Sequence, residues 1–130
     1  MMLLTMIFLH IIDDFVLQPL GWLANGKQRS WWKENAPEPK YQYDYLCALF
    51  MHSFSWTFMI MIPVAWFQAA PLDPLFYWVF AGNIAVHGTV DHIKANLRKI
   101  NLIQDQLIHL VQIIITYLVL QSQITLLYPD

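Results

Sequence analysis

Histidine and aspartate recur four residues apart within apolar stretches of this chain. His10 and Asp14 form one pair, with Asp13 beside them. His87 and Asp91 form a second, and Asp105 and His109 a third in reverse order, while His52 stands alone in another apolar stretch. Residues four apart share a helix face, so each pair converges on one point. Nitrogen and oxygen donors repeated on neighbouring helices are how helix bundles build metal sites in their cores. His10, Asp14, His52, His87, Asp91, Asp105 and His109 are therefore read as metal ligands. Asp13, three residues from His10, competes with Asp14 for the first carboxylate position. Mixed His/Asp ligation suits zinc, and also manganese or iron, as one or two ions. Such a site polarises a phosphoryl oxygen and activates water as a nucleophile at neutral pH.

The same faces carry further polar groups. Gln18 follows Asp14 by four residues, Asn83 precedes His87 by four, Lys94 follows Asp91 by three and Gln112 follows His109 by three. They are read as groups that orient ligands or donate to a substrate. Lys94 either snorkels to the membrane edge or holds a phosphate oxygen as a point charge. With Gln18 it is assigned to catalysis. His92 lies about 140° around the helix from His87 and is set apart from the site. Two other readings stay open: a metal-free polar network, and a proton or metal-ion path, since intramembrane Asp and His also mark such paths.

The elements that must position these groups follow from composition. Hydrophobic residues make up 58% of the 130-residue chain and charged residues 12%, about half the charged share of a soluble domain. Mean hydropathy is +0.43. Disorder is excluded by this apolar content. A net charge of −2 without a basic stripe argues against nucleic acid. The single cysteine, Cys47, excludes a disulfide framework. The chain has no phosphate-binding loop and no G-x-S-x-G nucleophile elbow.

Four apolar stretches, at 2–23, 45–67, 75–95 and 102–127, each approach the length of a membrane-spanning helix. The first lacks the basic start and small-residue cleavage site of a signal peptide. The expectation is an all-α, single-domain integral membrane bundle of four transmembrane helices over 1–130. Asn25-Gly26 should stop the first helix and Pro19 should bend it. Between spans one and two lies a polar interfacial segment with Trp22, Trp31 and Trp32. Pro71 to Pro74 reads as a tight turn and Asn96 to Asn101 as the last connection. Lys27, Arg29, Lys33 and Lys40 fall in the first connection, and Lys94, Arg98 and Lys99 at the last. The positive-inside rule then puts both connections in the cytoplasm and both termini outside. Counted inward from these connections, every candidate ligand falls roughly 6–21 Å from the cytoplasmic edge, in one layer.

The motifs H-x-x-x-D-F-x-x-Q (His10, Asp14, Phe15, Gln18), W-L-A-x-x-K (Trp22 to Lys27), His52, H-x-x-x-D-x-x-K (His87, Asp91, Lys94) and D-Q-x-x-H (Asp105, Gln106, His109) resemble the small membrane-protein family numbered 3307 among domains of unknown function. Its members occur in bacteria and phages, and the likeness covers nearly the whole chain. Paired H-x-x-x-D is also similar to zinc-dependent phospholipase C and to inner-membrane metal-dependent hydrolases. That likeness implies His10 with Asp14 and His87 with Asp91 as ligands, although the soluble enzymes use an N-terminal Trp absent here. The expected function is a metal-dependent hydrolase of the bacterial inner membrane, acting on a lipid-linked phosphoester or pyrophosphate. The alternatives are a phage membrane protein with a structural metal that alters the host envelope, and an ion conduit. The expected partners are membrane lipid, a second copy of the chain or a host envelope protein.

Overall fold

A computed structural model describes residues 1–18, 23–68 and 73–127, apart from the side chains of 23–24, 68 and 122–127. The described residues are helical and contain no strand. Helix α1 (Met2–Ile12) continues into a wide π turn over Asp13–Leu17. A single turn of helix, α2 (Leu23–Gly26), is followed by α3 (Arg29–Asn35) and a 3-10 turn at Pro39–Tyr41. The long helices are α4 (Asp44–Gln68), α5 (Pro74–His92, extended by a π turn over Ile93–Leu97) and α6 (Leu102–Leu127). Helix α4 is the hub and packs against α1, α5 and α6.

Local chemistry explains these boundaries. Asp73 caps α5 by accepting a hydrogen bond from Leu75 N at 2.7 Å, with Pro74 at the first helical position. Asn101 and Gln104 form a reciprocal capping box at the start of α6, at 2.9 and 3.0 Å. Arg98 ends α5 in the left-handed conformation, φ 53°, a position that glycine usually fills.

Several boundaries differ from the sequence expectation. The described part of the first helix ends with Leu17, and Gly26 closes α2 instead. Pro19, Trp22, Pro71 and Leu72 lie outside the described residues. The last connection is shorter than expected, because the π turn carries α5 to Leu97. Among the described residues, two stretches are long and apolar enough to cross a membrane, Pro39–Phe67 and Leu102–Gln121. The described part of α1 with its π turn is shorter than a span, and α5 is interrupted by Asn83, His87, Asp91 and His92.

The interior is unusual in composition. Among the described residues, twelve buried side chains are hydrophobic and twelve are polar or charged. Large apolar side chains, including Phe50, Phe54, Phe58, Trp66, Trp78 and Ile103, face outward. The two kinds of buried residue separate along the bundle. Met6, Trp56, Ile60, Val64, Phe76, Ile113 and Leu120 form an apolar core toward the α4–α5 connection. The buried charges gather toward the end that carries Lys27, Lys94 and Arg98.

Candidate metal centre

A π turn continues α1 where its two carboxylates stand. Gln18 N bonds to Asp13 O at 3.0 Å, closing a turn one residue wider than the α-helical one. Adjacent residues on an α-helix point about 100° apart, and both Asp13 and Asp14 are turned into the bundle, with side chains 2% and 9% exposed. His52 comes from α4, His87 and Asp91 from α5, and Asp105 and His109 from α6. All seven sequence-predicted ligands stand in one cluster.

Within it, two groups of three donors lie close enough to hold a metal ion: Asp14, His52 and His87, and His87, Asp91 and His109. His52 Nε2 lies 2.9 Å from His87 Nε2 and 3.1 Å from Asp91 Oδ2. Asp14 Oδ1 is 3.8 Å from His52 Nε2, and Asp91 Oδ1 is 3.3 Å from His109 Nε2. With zinc–ligand bonds of about 2.0–2.1 Å, a tetrahedral site has donor–donor edges of about 3.3–3.4 Å and an octahedral one about 2.9 Å. The observed separations bracket both. Trp56 stacks on His87, and His87 on His109, each with centroids 4.1 Å apart, so the three rings hold one another in place.

His10 and Asp105 belong to the cluster but to neither triad. Trp56 Nε1–H donates to His10 Nδ1 at 2.7 Å, which leaves the proton of His10 on Nε2, 3.1 Å from Gln106 Oε1. Both nitrogens are therefore used. The consequence passes to Gln106: its carbonyl oxygen faces His10, so its amide N–H groups face Asp14 Oδ2 at 3.1 Å and Asp105 Oδ2 at 3.2 Å. His10 thus positions a carboxylate through Gln106. Asp105 is held by Lys94 at 2.5 Å and lies 3.4 Å from His109 Nε2. Asp13 accepts from Ser55 Oγ at 2.7 Å and backs His52 Nδ1 at 3.7 Å.

The two residues assigned to catalysis sit at the mouth. Gln18 Nε2 donates to Asp14 Oδ1 at 3.0 Å and lies 2.6 Å from the His52 ring nitrogens. Lys94, expected beside His87 and Asp91, turns to Asp105 instead. The cation on Asp91 is Lys27, at 2.6 Å, which also donates to Gln18 Oε1 at 2.9 Å. A cleft of about 390 Å³, lined by Gln18, Lys27, Gln28, Asp91, Lys94, Ala95 and Arg98, opens directly onto Asp91. Asn83 and Gln112, expected near the ligands, bond to each other at 2.7 Å and with Thr116 clasp α5 to α6. His92 stacks on Tyr45, off the cluster.

Spacing along helices missed Lys27, Gln106 and Trp56. Lys27 lies in a connection, where helical periodicity says nothing. Gln106 is adjacent to Asp105, so a four-residue rule passes over it. Lys27 and Gln106 do occur in the motifs W-L-A-x-x-K and D-Q-x-x-H, which were the available signal. The chain matches no protein-family profile, no curated protein and no solved structure.

Proposed function

We propose that the chain is a metal-dependent hydrolase of the bacterial inner membrane, acting on a lipid-linked phosphoester or pyrophosphate. By its motifs we assign it to the family numbered 3307 among domains of unknown function. An apolar exterior around a charged interior is the pattern expected where lipid replaces water outside. In this reading α1, α4, α5 and α6 are the four spans. The connections bearing Lys33 and Arg98 are cytoplasmic, and both termini lie outside.

The observation that carries the chemistry is the cationic cleft opening onto a donor cluster in which four carboxylates meet two ammonium groups. Asp13, Asp14, Asp91 and Asp105 meet only Lys27 and Lys94 as permanently charged partners within the cluster. With neutral imidazoles, two negative charges remain unbalanced. Buried charge is costly unless paired, and a divalent cation supplies that balance. His87 belongs to both triads, so we read them as alternative placements of one ion. When bound, the ion supplies Lewis-acid polarisation of a phosphoryl oxygen and a water of lowered pKa. Lys27 and Lys94 exchange their carboxylate partners for phosphate oxygens, and Gln18 donates from the cleft wall. Water adds to phosphorus, the bond to the leaving oxygen breaks, and the proton of water passes to a carboxylate outside the donor set.

A metal-free network is the second reading, favoured because Asp91 and Asp105 already hold ammonium partners at 2.6 and 2.5 Å. Protonated histidines would then complete the balance. Elemental analysis of the purified protein beside a His87→Ala variant, followed by phosphate release from mixed lipids with and without chelator, decides between them. Stoichiometric metal lost in the variant, with chelator-sensitive release, supports the hydrolase. A metal-free wild type that zinc, manganese and iron leave inactive supports the network.

A further inference from the structure

A second cleft of about 390 Å³ lies beside the first, and nothing in the proposed chemistry uses it. Its walls include Arg29, Ser30 and Lys33 of α3 on one side and His92 and Arg98 of α5 on the other, with Tyr45 of α4 between them. Three cations line it and no carboxylate does. Tyr45 and His92 stack with centroids 6.1 Å apart and planes 25° apart, giving it a flat aromatic wall. Its two sides are pinned together by Asn96, which accepts from Arg29 N at 2.7 Å and donates to Lys27 O at 2.9 Å. The cleft is therefore a fixed feature of the fold. Arg98, held in its left-handed conformation, lines both clefts and joins them.

We infer that this cleft binds the phosphate of an anionic phospholipid headgroup. The site lies at the basic end of the bundle, and basic pockets between helices on the cytoplasmic side are where anionic headgroups bind. Exposed Leu97 also lines it, so an acyl chain has an apolar surface to follow from the headgroup. Trp31 and Trp32, adjacent on α3, are the residue type that settles at headgroup level. The inference rests on the membrane reading above, and not on a metal or on hydrolysis.

The test uses the full-length protein with chelator present. Purified protein is first mixed with phosphatidylcholine vesicles and floated. It is then titrated in detergent with phosphatidylglycerol or phosphatidylcholine, and bound lipid is counted by native mass spectrometry. Phosphatidylglycerol should bind in preference. The Arg29→Gln/Lys33→Gln double variant should bind it roughly 30-fold more weakly, with phosphatidylcholine unchanged. A Lys40→Gln/Lys99→Gln variant removes two cations outside the lining and should retain phosphatidylglycerol binding. Equal losses in the two double variants would mean diffuse surface attraction and would overturn the site. Binding of inorganic phosphate alone, with the same dependence on Arg29 and Lys33 and without lipid preference, would overturn the lipid as occupant. A wild type that never floats with vesicles defeats the membrane reading, a result distinct from insertion without anionic preference, which defeats this inference alone.

Discussion

If a divalent ion takes Asp91 as proposed, Lys27 makes opposite contributions to folding and to metal binding, and that opposition can be measured. Its ammonium lies 2.6 Å from Asp91 Oδ2, with side chains 14% and 4% exposed. Removing one partner of a buried pair leaves the other charge uncompensated, at about 3–5 kcal/mol. Lys27 reaches the cleft, so the lower end applies, about 3 kcal/mol. In Lys27→Met, Asp91 keeps His52 at 3.1 Å and His109 at 3.3 Å but loses its cation. A divalent ion arriving at Asp91 must displace the ammonium in the wild type and meets no competitor in the variant. Lys27→Met should therefore lose about 3 kcal/mol of stability in chelator and regain most of it in saturating zinc. It should bind zinc up to roughly 100-fold more tightly, since each factor of ten corresponds to about 1.4 kcal/mol. Lipid phosphate release should fall, because Lys27 is one of the cations assigned to the substrate. Unfolding in detergent with chelator or zinc, and competition against a chromophoric zinc chelator, measure both effects. Unchanged zinc affinity, or a destabilisation that zinc leaves untouched, would refute the sharing of Asp91 between Lys27 and the ion.

Four further outcomes are expected. His10→Leu should weaken zinc binding by about 10–100-fold, as loss of a ligand's supporting partner does, whereas His87→Ala should abolish it; equal loss in both would make His10 a ligand. A Cβ on Gly88 would meet Ser53 Oγ at 2.8 Å, so Gly88→Ala should destabilise by about 1–3 kcal/mol, with partial relief when Ser53→Ala is added, read by a double-mutant unfolding cycle. Zinc affinity should fall as pH is lowered, because His52, His87 and His109 must be neutral to donate, and zinc addition at fixed pH should release protons; calorimetry in buffers of different ionisation heat counts them. Cysteines introduced at Lys33 and Arg98 should label from the cytoplasmic side and one at Asp73 from the other, and opposite labelling of 33 and 98 would rule out four spans.

The layer of charge was legible in the sequence because two periodicities agree. Four-residue spacing puts His87 with Asp91 and Asp105 with His109 on single faces, and their distance from the nearest basic connection puts those faces at one depth. Both are one-dimensional quantities, and the fold preserves them: His10, His52, His87 and His109 all turn inward at one end of the bundle. The roles within the layer depend on three-dimensional competition for partners, which spacing does not record. His10 has the same spacing to Asp14 as His87 has to Asp91, yet the indole N–H of Trp56 takes its free nitrogen. Lys94 shares a face with Asp91, yet its flexible stem reaches Asp105 across the helix pair, and Lys27 arrives from a connection to take the place expected of it.

The choice between Asp13 and Asp14 shows the same limit from the backbone side. The sequence poses a choice between two adjacent carboxylates, but side chains about 100° apart both fit on a helix's inner face when that face is as wide. Asp13 and Asp14 both turn inward where the π turn over Asp13–Leu17 begins. Asp14 then joins the donors, while Asp13, bonded to Ser55, stands behind His52. The pair thus divides into a candidate donor and a carboxylate that supports His52 from behind. Such π turns recur at functional sites, and a second one, over Ile93–Leu97, follows Asp91 on α5 and carries Lys94 and Asn96. The first wide turn ends beside Gln18 and the second carries Lys94 and Ala95, all three in the lining of the first cleft, and the second also supplies the amide that fixes the backbone at Lys27. The arrangement makes the mouth of the site, more than its donors, the part of this chain that depends on departures from regular helix.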